Sequence, residues 1–181
     1  TALLVVDMPF LSYATPALAL AAAAQLLQQG GAQMVKLEGG GLAQQEIVRV
    51  LSANGVAVCA HLGLLPQAVH RLGGYRQQAK TPEAQAQLLA EAQALEAAGA
   101  QLLVLEAVPA ALAAAVSTTL TIPVIGIGAG PQTDGQVLVL YDALGLTPQA
   151  PGFSQDFLQG QTEGIVGAVR AYVHAVKQGR F

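Results

Sequence analysis

The stretch TPEAQAQLLAEAQALEAAGAQLLVLE, residues 81–106, decides the fold class, because it reads as a helix followed directly by a buried strand. Residues from Glu83 to Ala98 have strong helix propensity, and Leu88 and Leu95 share one apolar face. The run from Leu102 to Leu105 is continuously apolar, which is typical of a strand covered on both faces of a parallel sheet. This stretch therefore predicts one βα repeat unit.

The same alternation extends along the chain in both directions. Five further runs rich in Val, Ile and Leu predict strands: Leu3 to Val6, Met34 to Leu37, Val56 to Ala60, Val124 to Ile127 and Val137 to Leu140. Four further stretches predict helices: Pro16 to Gln29, Leu42 to Ala53, Pro109 to Ser117 and Thr162 to Lys177. Six strands alternating with helices fit either an open doubly wound sheet or part of an eight-stranded barrel.

Chain length bears on that choice. The 181 residues predict a single domain over residues 1–181. A (β/α)₈ barrel typically takes about 250 residues, so a barrel of this length would lack roughly two βα units. Because the sequence begins directly in a predicted strand, we expect a segment upstream of Thr1.

Composition limits the classes of function. Hydrophobic residues make up 53% of the chain and charged residues 10%, which excludes a disordered chain. A net charge of -3 gives no basic footprint for nucleic acid or an anionic membrane, so small-molecule substrates are favoured. The single cysteine, Cys59, cannot form an intrachain disulfide, and neither a membrane span nor a secretory signal is evident. We therefore expect a cytoplasmic protein.

Ionisable side chains stand at the carboxyl ends of the predicted strands. Asp7, Lys36, Glu38, His61 and Glu106 each end or follow an apolar run. In parallel α/β folds the carboxyl ends of the strands meet at one edge, where ligands bind. The sequence therefore predicts that these five groups converge in one site.

Two interpretations of this convergence remain open. Asp7 and Glu38 carry hard carboxylate ligands of the kind that bind Mg²⁺, which usually takes one or two of them. Alternatively, Lys36 forms an ion pair with Asp7 or Glu38 and neutralises a strand end. His61, taken alone, is equally compatible with a hydrogen-bonded core residue and with a catalyst.

Two weaker features are also ambiguous. The glycines of IPVIGIGAG, residues 122–130, predict either a nest that binds an anion or simply a tight turn at a strand end. Arg71, Arg76 and Lys80 lie in an irregular loop and indicate either a contact with an anionic substrate or a solvated surface. Neither a zinc-protease pattern nor a nucleophile-elbow pattern occurs.

Taken in order, these segments resemble the ketopantoate hydroxymethyltransferase family. The resemblance is carried by VDMPFLSYATP from Val6, MVKLEGG from Met34, AHLGLLPQAV from Ala60, GGYRQQAK from Gly73, LEAAGAQLLVLEAVP from Leu95, IPVIGIGAG from Ile122 and TDGQVLVLYDALGL from Thr133. It extends from Leu3 to about Leu146.

The resemblance implies a fold and a reaction. The fold is a (β/α)₈ TIM barrel of the isocitrate lyase and phosphoenolpyruvate mutase type, here lacking the first two βα units, in a homo-oligomer that is a decamer. The reaction transfers a hydroxymethyl group from methylenetetrahydrofolate to 3-methyl-2-oxobutanoate, giving ketopantoate, with Mg²⁺ as cofactor. It opens pantothenate and coenzyme A biosynthesis.

The resemblance also implies roles for individual residues. Asp7 and Glu38 correspond to metal-associated acids, Asp7, Lys36 and His61 to substrate-binding residues, and Glu106 to the catalytic acid or base. The family's Gly-Asp-Ser-Leu-Gly segment, which supplies a further metal ligand, is absent here, and Tyr141 stands where the family has histidine. The alternatives are another Mg²⁺-dependent 2-oxo acid lyase or aldolase of this barrel group, and an inactive truncated homologue.

Overall fold

A computed structural model describes residues 2–181. Its six strands form one sheet in sequence order, and all five neighbouring pairs are parallel. The strands are β1 (Val5–Asp7), β2 (Met34–Glu38), β3 (Val58–Gly63), β4 (Leu102–Glu106), β5 (Val124–Ile127) and β6 (Gly135–Gln136). Because the order is strictly sequential, the sheet follows barrel topology rather than that of a doubly wound sheet.

Helices connect most of the strands. They are α1 (Pro16–Gln28), α2 (Leu42–Ala53), α3 (Val69–Leu72), α4 (Pro82–Ala97), α5 (Ala110–Thr119), α6 (Leu140–Ala143) and α7 (Gly164–Lys177). The five helices predicted from sequence are confirmed to within two residues at each end. Within residues 2–181, β1 and β6 each pair on one side only, so the barrel wall is open between them. The expected fold, a (β/α) barrel lacking two units, is thereby confirmed.

The predicted strand from Val137 to Leu140 is wrong. The chain pairs with β5 at Gly135–Gln136, and α6 begins at Leu140. Leu138 packs in a cluster with Ala168 and Tyr172 of α7. The other three residues of the run, Val137, Val139 and Leu140, are exposed, so the apolar pattern here does not mark a strand.

The strand ends also differ from the prediction. β3 begins two residues later than expected and continues to Gly63, so His61 lies within the strand rather than after it. Likewise Asp7, Glu38 and Glu106 are the last residues of their strands. The predicted runs ended just before Asp7, Glu38, His61 and Glu106, whereas the hydrogen-bond ladder continues through these residues.

The two faces of the sheet bury different residues. On the outer face, side chains such as Val35, Leu37 and Leu103 pack with the helices in the main hydrophobic core. On the inner face, a second cluster joins four buried residues from neighbouring strands: Met34, Cys59, Val104 and Ile127. Because strand side chains alternate between faces, the residues two positions further along point to the same interior. This alternation places Lys36, His61 and Glu106 beside the inner cluster.

The chain ends in a third cluster, in which the rings of Phe157, Tyr172 and Phe181 meet edge to face. Among residues 2–181, the helices are all too short or too polar to cross a membrane.

Candidate active site

A cavity of about 490 Å³ lies on the inner face at the carboxyl ends of the strands. All five ionisable residues that the sequence singled out line it: Asp7, Lys36, Glu38, His61 and Glu106. Its volume is within the range of small-molecule sites. The convergence predicted from strand ends is therefore observed, whereas the chemical role of each residue stays a prediction.

His61 is buried between two carboxylates. Its Nε2 lies 3.3 Å from Oε2 of Glu106, and its Nδ1 lies 3.9 Å from Oε1 of Glu38. The His61 side chain is 3% exposed, against 5% for Glu38 and 15% for Glu106. Neither imidazole nitrogen has a hydrogen-bond partner within residues 2–181. A buried, unsatisfied polar group is costly, so this arrangement favours a ligand that completes the bonding.

Lys36 forms an ion pair with Asp7 on the neighbouring strand, where the two residues are in register. The ion pair considered from the sequence is thus observed. Burial lowers the pKa of Lys36, while the nearby carboxylates of Glu38 and Glu106 act to raise it. The Lys36 side chain is 14% exposed and the Asp7 side chain 58% exposed, so the pair lies at the mouth of the cavity. Lys36 is the only Lys or Arg among the described residues that line this cavity.

Sequence reasoning missed Tyr13 and Gln67. The backbone N–H of Gln67 donates to Oε2 of Glu38 at 3.0 Å, and the hydroxyl of Tyr13 donates to Oε1 of Gln67 at 2.6 Å. Gln67 lies in a short 3-10 helix, Pro66–Ala68, that follows β3. Both residues fall in segments that carry the family resemblance, and their position after a strand end is the further signal that could have indicated a contact with the site.

Cys59 and Gly63 were also missed, and both lie on β3 with His61. Cys59 is fully buried beneath the ionisable groups, and this burial raises the pKa of its thiol to about 12. Gly63 pairs with Glu106 and has a φ of 93°, and a Cβ there would collide with the carbonyl oxygen of Glu106. The absence of a side chain thus allows β3 and β4 to approach at the level of Glu106.

The donor set suits Mg²⁺ in type. Asp7 and Glu38 offer carboxylate oxygens, and Mg²⁺ is commonly held by one or two of these with water and substrate oxygens. Residues 2–181 contain no group of three or more His, Cys, Asp or Glu side chains that could hold a metal ion. These residues could therefore supply part of a magnesium site, with the remaining ligands coming from elsewhere.

The weaker sequence features have separate locations. Gly128 and Gly130 have φ values of 59° and 81°, as expected for tight turning after β5. Arg76 and Lys80 are exposed. Arg71 lines a second cavity of about 530 Å³, which shares Glu38 and Gln67 with the first.

Comparison with known proteins decides the family. A sequence profile of the family described as ketopantoate hydroxymethyltransferase matches residues 1–181. The chain belongs to the ketopantoate hydroxymethyltransferase family. The resemblance drawn from the sequence is therefore confirmed.

Relatives in the ketopantoate hydroxymethyltransferase family are similar over almost the whole chain. A 3-methyl-2-oxobutanoate hydroxymethyltransferase of Nitrosococcus oceani is 56% identical over 176 residues, covering 97% of this chain and 66% of the relative. One from Alkalilimnicola ehrlichii is 57% identical over 182 residues, covering 100% of this chain and 65% of the relative. The chain thus spans slightly less than two thirds of the length of these relatives.

Solved structures support the fold of this family member. A crystal structure of a protein from Burkholderia cenocepacia J2315, described as a phosphonomutase, aligns with a TM-score of 0.51 at 18% identity. The alignment covers 68% of this chain and 54% of that protein. At this identity the likeness concerns the fold alone.

Proposed function

We propose that the protein transfers a hydroxymethyl group from methylenetetrahydrofolate to 3-methyl-2-oxobutanoate, giving ketopantoate and tetrahydrofolate. Family membership supports the activity, and the observation that carries the chemistry is the buried line of Glu38, His61 and Glu106. Such a line places a carboxylate on each side of a buried imidazole, so a group able to accept a proton borders the cavity.

The first chemical step is removal of the proton at C3 of the keto acid. Glu106 is the proposed base, because its Oε2 borders the cavity and lies 3.3 Å from Nε2 of His61. His61 lies beside that carboxylate, and a protonated His61 would compensate the negative charge that develops on the substrate. General base catalysis of this kind typically contributes 10²–10⁴-fold in rate.

Lys36 is the proposed anchor of the substrate carboxylate. Its ammonium group borders the cavity, and hydrogen bonds between an ammonium and a carboxylate are among the stronger polar contacts. Asp7 holds Lys36 at the cavity mouth through the ion pair. Asp7 and Glu38 are the proposed Mg²⁺ ligands of this chain. When bound, Mg²⁺ would act as a Lewis acid towards the oxygens of the keto acid.

The carbon transfer balances as follows. The electron pair released at C3 forms the new bond to the methylene carbon of the folate, and both folate C–N bonds to that carbon break. Water supplies the hydroxyl group. The two folate nitrogens take up one proton from C3 and one from water. The proposal includes a cytoplasmic location and a homo-oligomer, as the resemblance implies.

Proton NMR of 3-methyl-2-oxobutanoate in D₂O tests the proposal. With protein and Mg²⁺ present, we expect the C3 hydrogen signal to disappear, and addition of methylenetetrahydrofolate to give ketopantoate. Glu106→Gln removes the proposed base and should abolish the exchange. Glu46→Gln is its matched control, since Glu46 pairs with Arg49 on the exposed side of α2. A folded protein without exchange would contradict the proposal. Carbon–carbon cleavage without folate would instead favour a lyase.

A further inference from the structure

Gln67 connects three parts of the site through three hydrogen bonds. Its backbone N–H donates to Oε2 of Glu38 at 3.0 Å, and its side-chain Nε2 donates to the carbonyl of Met8 at 2.9 Å. Its Oε1 accepts from the hydroxyl of Tyr13 at 2.6 Å. The residue therefore links the loop after β3 to the ends of β1 and β2.

The contacts among Tyr13, Gln67 and Glu38 form a closed ring. The Tyr13 hydroxyl donates to the side chain of Gln67, and the backbone N–H of Gln67 donates to Glu38. The backbone N–H of Glu38 in turn donates to the hydroxyl oxygen of Tyr13 at 3.4 Å. Each of the three residues donates one hydrogen bond and accepts one within the ring. Because Oε1 of Gln67 accepts from Tyr13 while Nε2 donates to Met8, the side-chain amide of Gln67 has a single orientation. Burial raises the pKa of Tyr13, which keeps the phenol protonated as this ring requires.

The ring determines which oxygen of Glu38 is free. Oε2 is engaged by the Gln67 N–H, whereas Oε1 is turned towards Nδ1 of His61, 3.9 Å away. The Glu38 side chain is 5% exposed, so water cannot readily substitute for the lost partner if this bond is broken. Without it, the carboxylate would be free to rotate away from His61.

We propose that Gln67 is a positioning residue, which holds Glu38 against His61 and thereby fixes the line from Glu38 to Glu106. The inference rests on the proposed function for its catalytic consequence, and on the three hydrogen bonds for the geometry. Glu38 and Gln67 also line both cavities, so the same contacts separate the strand-end cavity from the one beside Arg71.

Three variants test the catalytic consequence. Gln67→Leu removes both side-chain hydrogen bonds of Gln67 at similar volume. Tyr13→Phe removes one of these bonds and also the acceptor of the Glu38 N–H. Gln25→Leu on the exposed face of α1 is the matched control. We expect each site variant to lower the maximal rate of C3 hydrogen exchange by about tenfold, with KM changed less than about threefold. Because the two residues act through one ring, the double variant should be hardly slower than Gln67→Leu alone.

A second measurement does not depend on activity. The backbone N–H of residue 67 donates to the Glu38 carboxylate, so its amide proton should exchange slowly with D₂O in the folded protein, and Glu38→Ala should accelerate that exchange. This protection from exchange is called the amide response. In Gln67→Leu and Tyr13→Phe we expect the response of this amide to shrink clearly.

The outcomes are distinguishable. If both variants keep the wild-type amide response and exchange rate, Gln67 is not a positioning residue. If the variants exchange normally although the amide response is lost, Gln67 holds Glu38 without serving catalysis, and the inference fails. If the wild-type protein shows no exchange but the amide response is lost in the variants, the proposed function fails while the positioning of Glu38 by Gln67 stands. Tyr13→Phe keeps the test decisive should Gln67→Leu not fold.

Discussion

Nε2 of His61 lies 3.3 Å from Oε2 of Glu106, although the two residues are on different strands and 45 positions apart in the chain. Parallel pairing of β3 and β4 places His61 opposite Val104, so Glu106 is two residues further along on the same face. The contact is therefore diagonal between neighbouring strands. A carboxylate that borders the cavity can accept a proton from the substrate, and a neighbouring imidazole can stabilise the charge that develops during this transfer. This arrangement is the basis of the first prediction.

Replacing Glu106 by Gln removes the proposed base but keeps the size and most of the polarity of the side chain. We expect C3 hydrogen exchange to fall at least about 100-fold, while binding of the keto acid is retained. Exchange is measured by proton NMR in D₂O, and binding by calorimetry. A variant that exchanges at the normal rate would refute the assignment of Glu106.

Replacing Lys36 by Met keeps the buried hydrocarbon chain and removes the charge. We expect KM for the keto acid to rise roughly tenfold or more, because a hydrogen bond to a charged group contributes about 1.5–3 kcal/mol. The maximal rate should change much less. Arg49→Met on α2, which removes an exposed cation, is the control. Equal KM values for the Lys36 variant and the wild-type protein would show that another group binds the carboxylate.

Replacing Gly63 by Ala introduces a Cβ against the carbonyl oxygen of Glu106, at a backbone φ of 93°. We expect the free energy of unfolding to fall by at least about 2 kcal/mol, from backbone strain and overpacking together. Gly55→Ala is the comparison, since Gly55 has a similar φ of 80° with open space around it. Chemical denaturation measures both. Similar losses in the two variants would mean that strain alone accounts for Gly63.

The thiol of Cys59 should make stability fall at alkaline pH. Burial raises its pKa to about 12 from an ordinary value of 9.0, so above pH 9 the unfolded chain loses this proton while the native protein keeps it. The unfolded state is then favoured by up to about 1.4 kcal/mol per pH unit. Cys59→Ala should show a shallower decline between pH 9 and 11, measured by urea denaturation. Parallel curves for the two proteins would contradict the prediction.

Much of the site could be predicted because a parallel sheet brings its carboxyl ends together. Once the strands β1 to β4 were predicted, the ionisable residues at their carboxyl ends were expected to meet, and Asp7, Lys36, Glu38, His61 and Glu106 do line one cavity. Period-two alternation then accounts for their common face. The resemblance of the motifs supplied the family, which composition and periodicity could not have done.

The remainder depends on contacts that no local pattern encodes. Tyr13 and Gln67 are 54 positions apart, and their hydrogen bond joins the segment after β1 to the 3-10 helix after β3. The wrong strand at Val137 to Leu140 has a related cause, since apolarity alone does not distinguish pairing in a sheet from packing against a helix. In that segment Leu138 contacts the α7 region.

The separation of the sheet into an outer face packed on helices and an inner face bearing the site has a consequence for variation in this chain. Val35 and Leu37 belong to the core that packs on the helices, whereas Lys36 and Glu38 line the cavity, although these four residues are consecutive. Under the proposed function, we expect substitutions at Val35 or Leu37 to change mainly stability and substitutions at Lys36 or Glu38 to change mainly activity. A library confined to the cavity-lining ends of β2 and β4 would then vary the site while the outer core keeps its native residues.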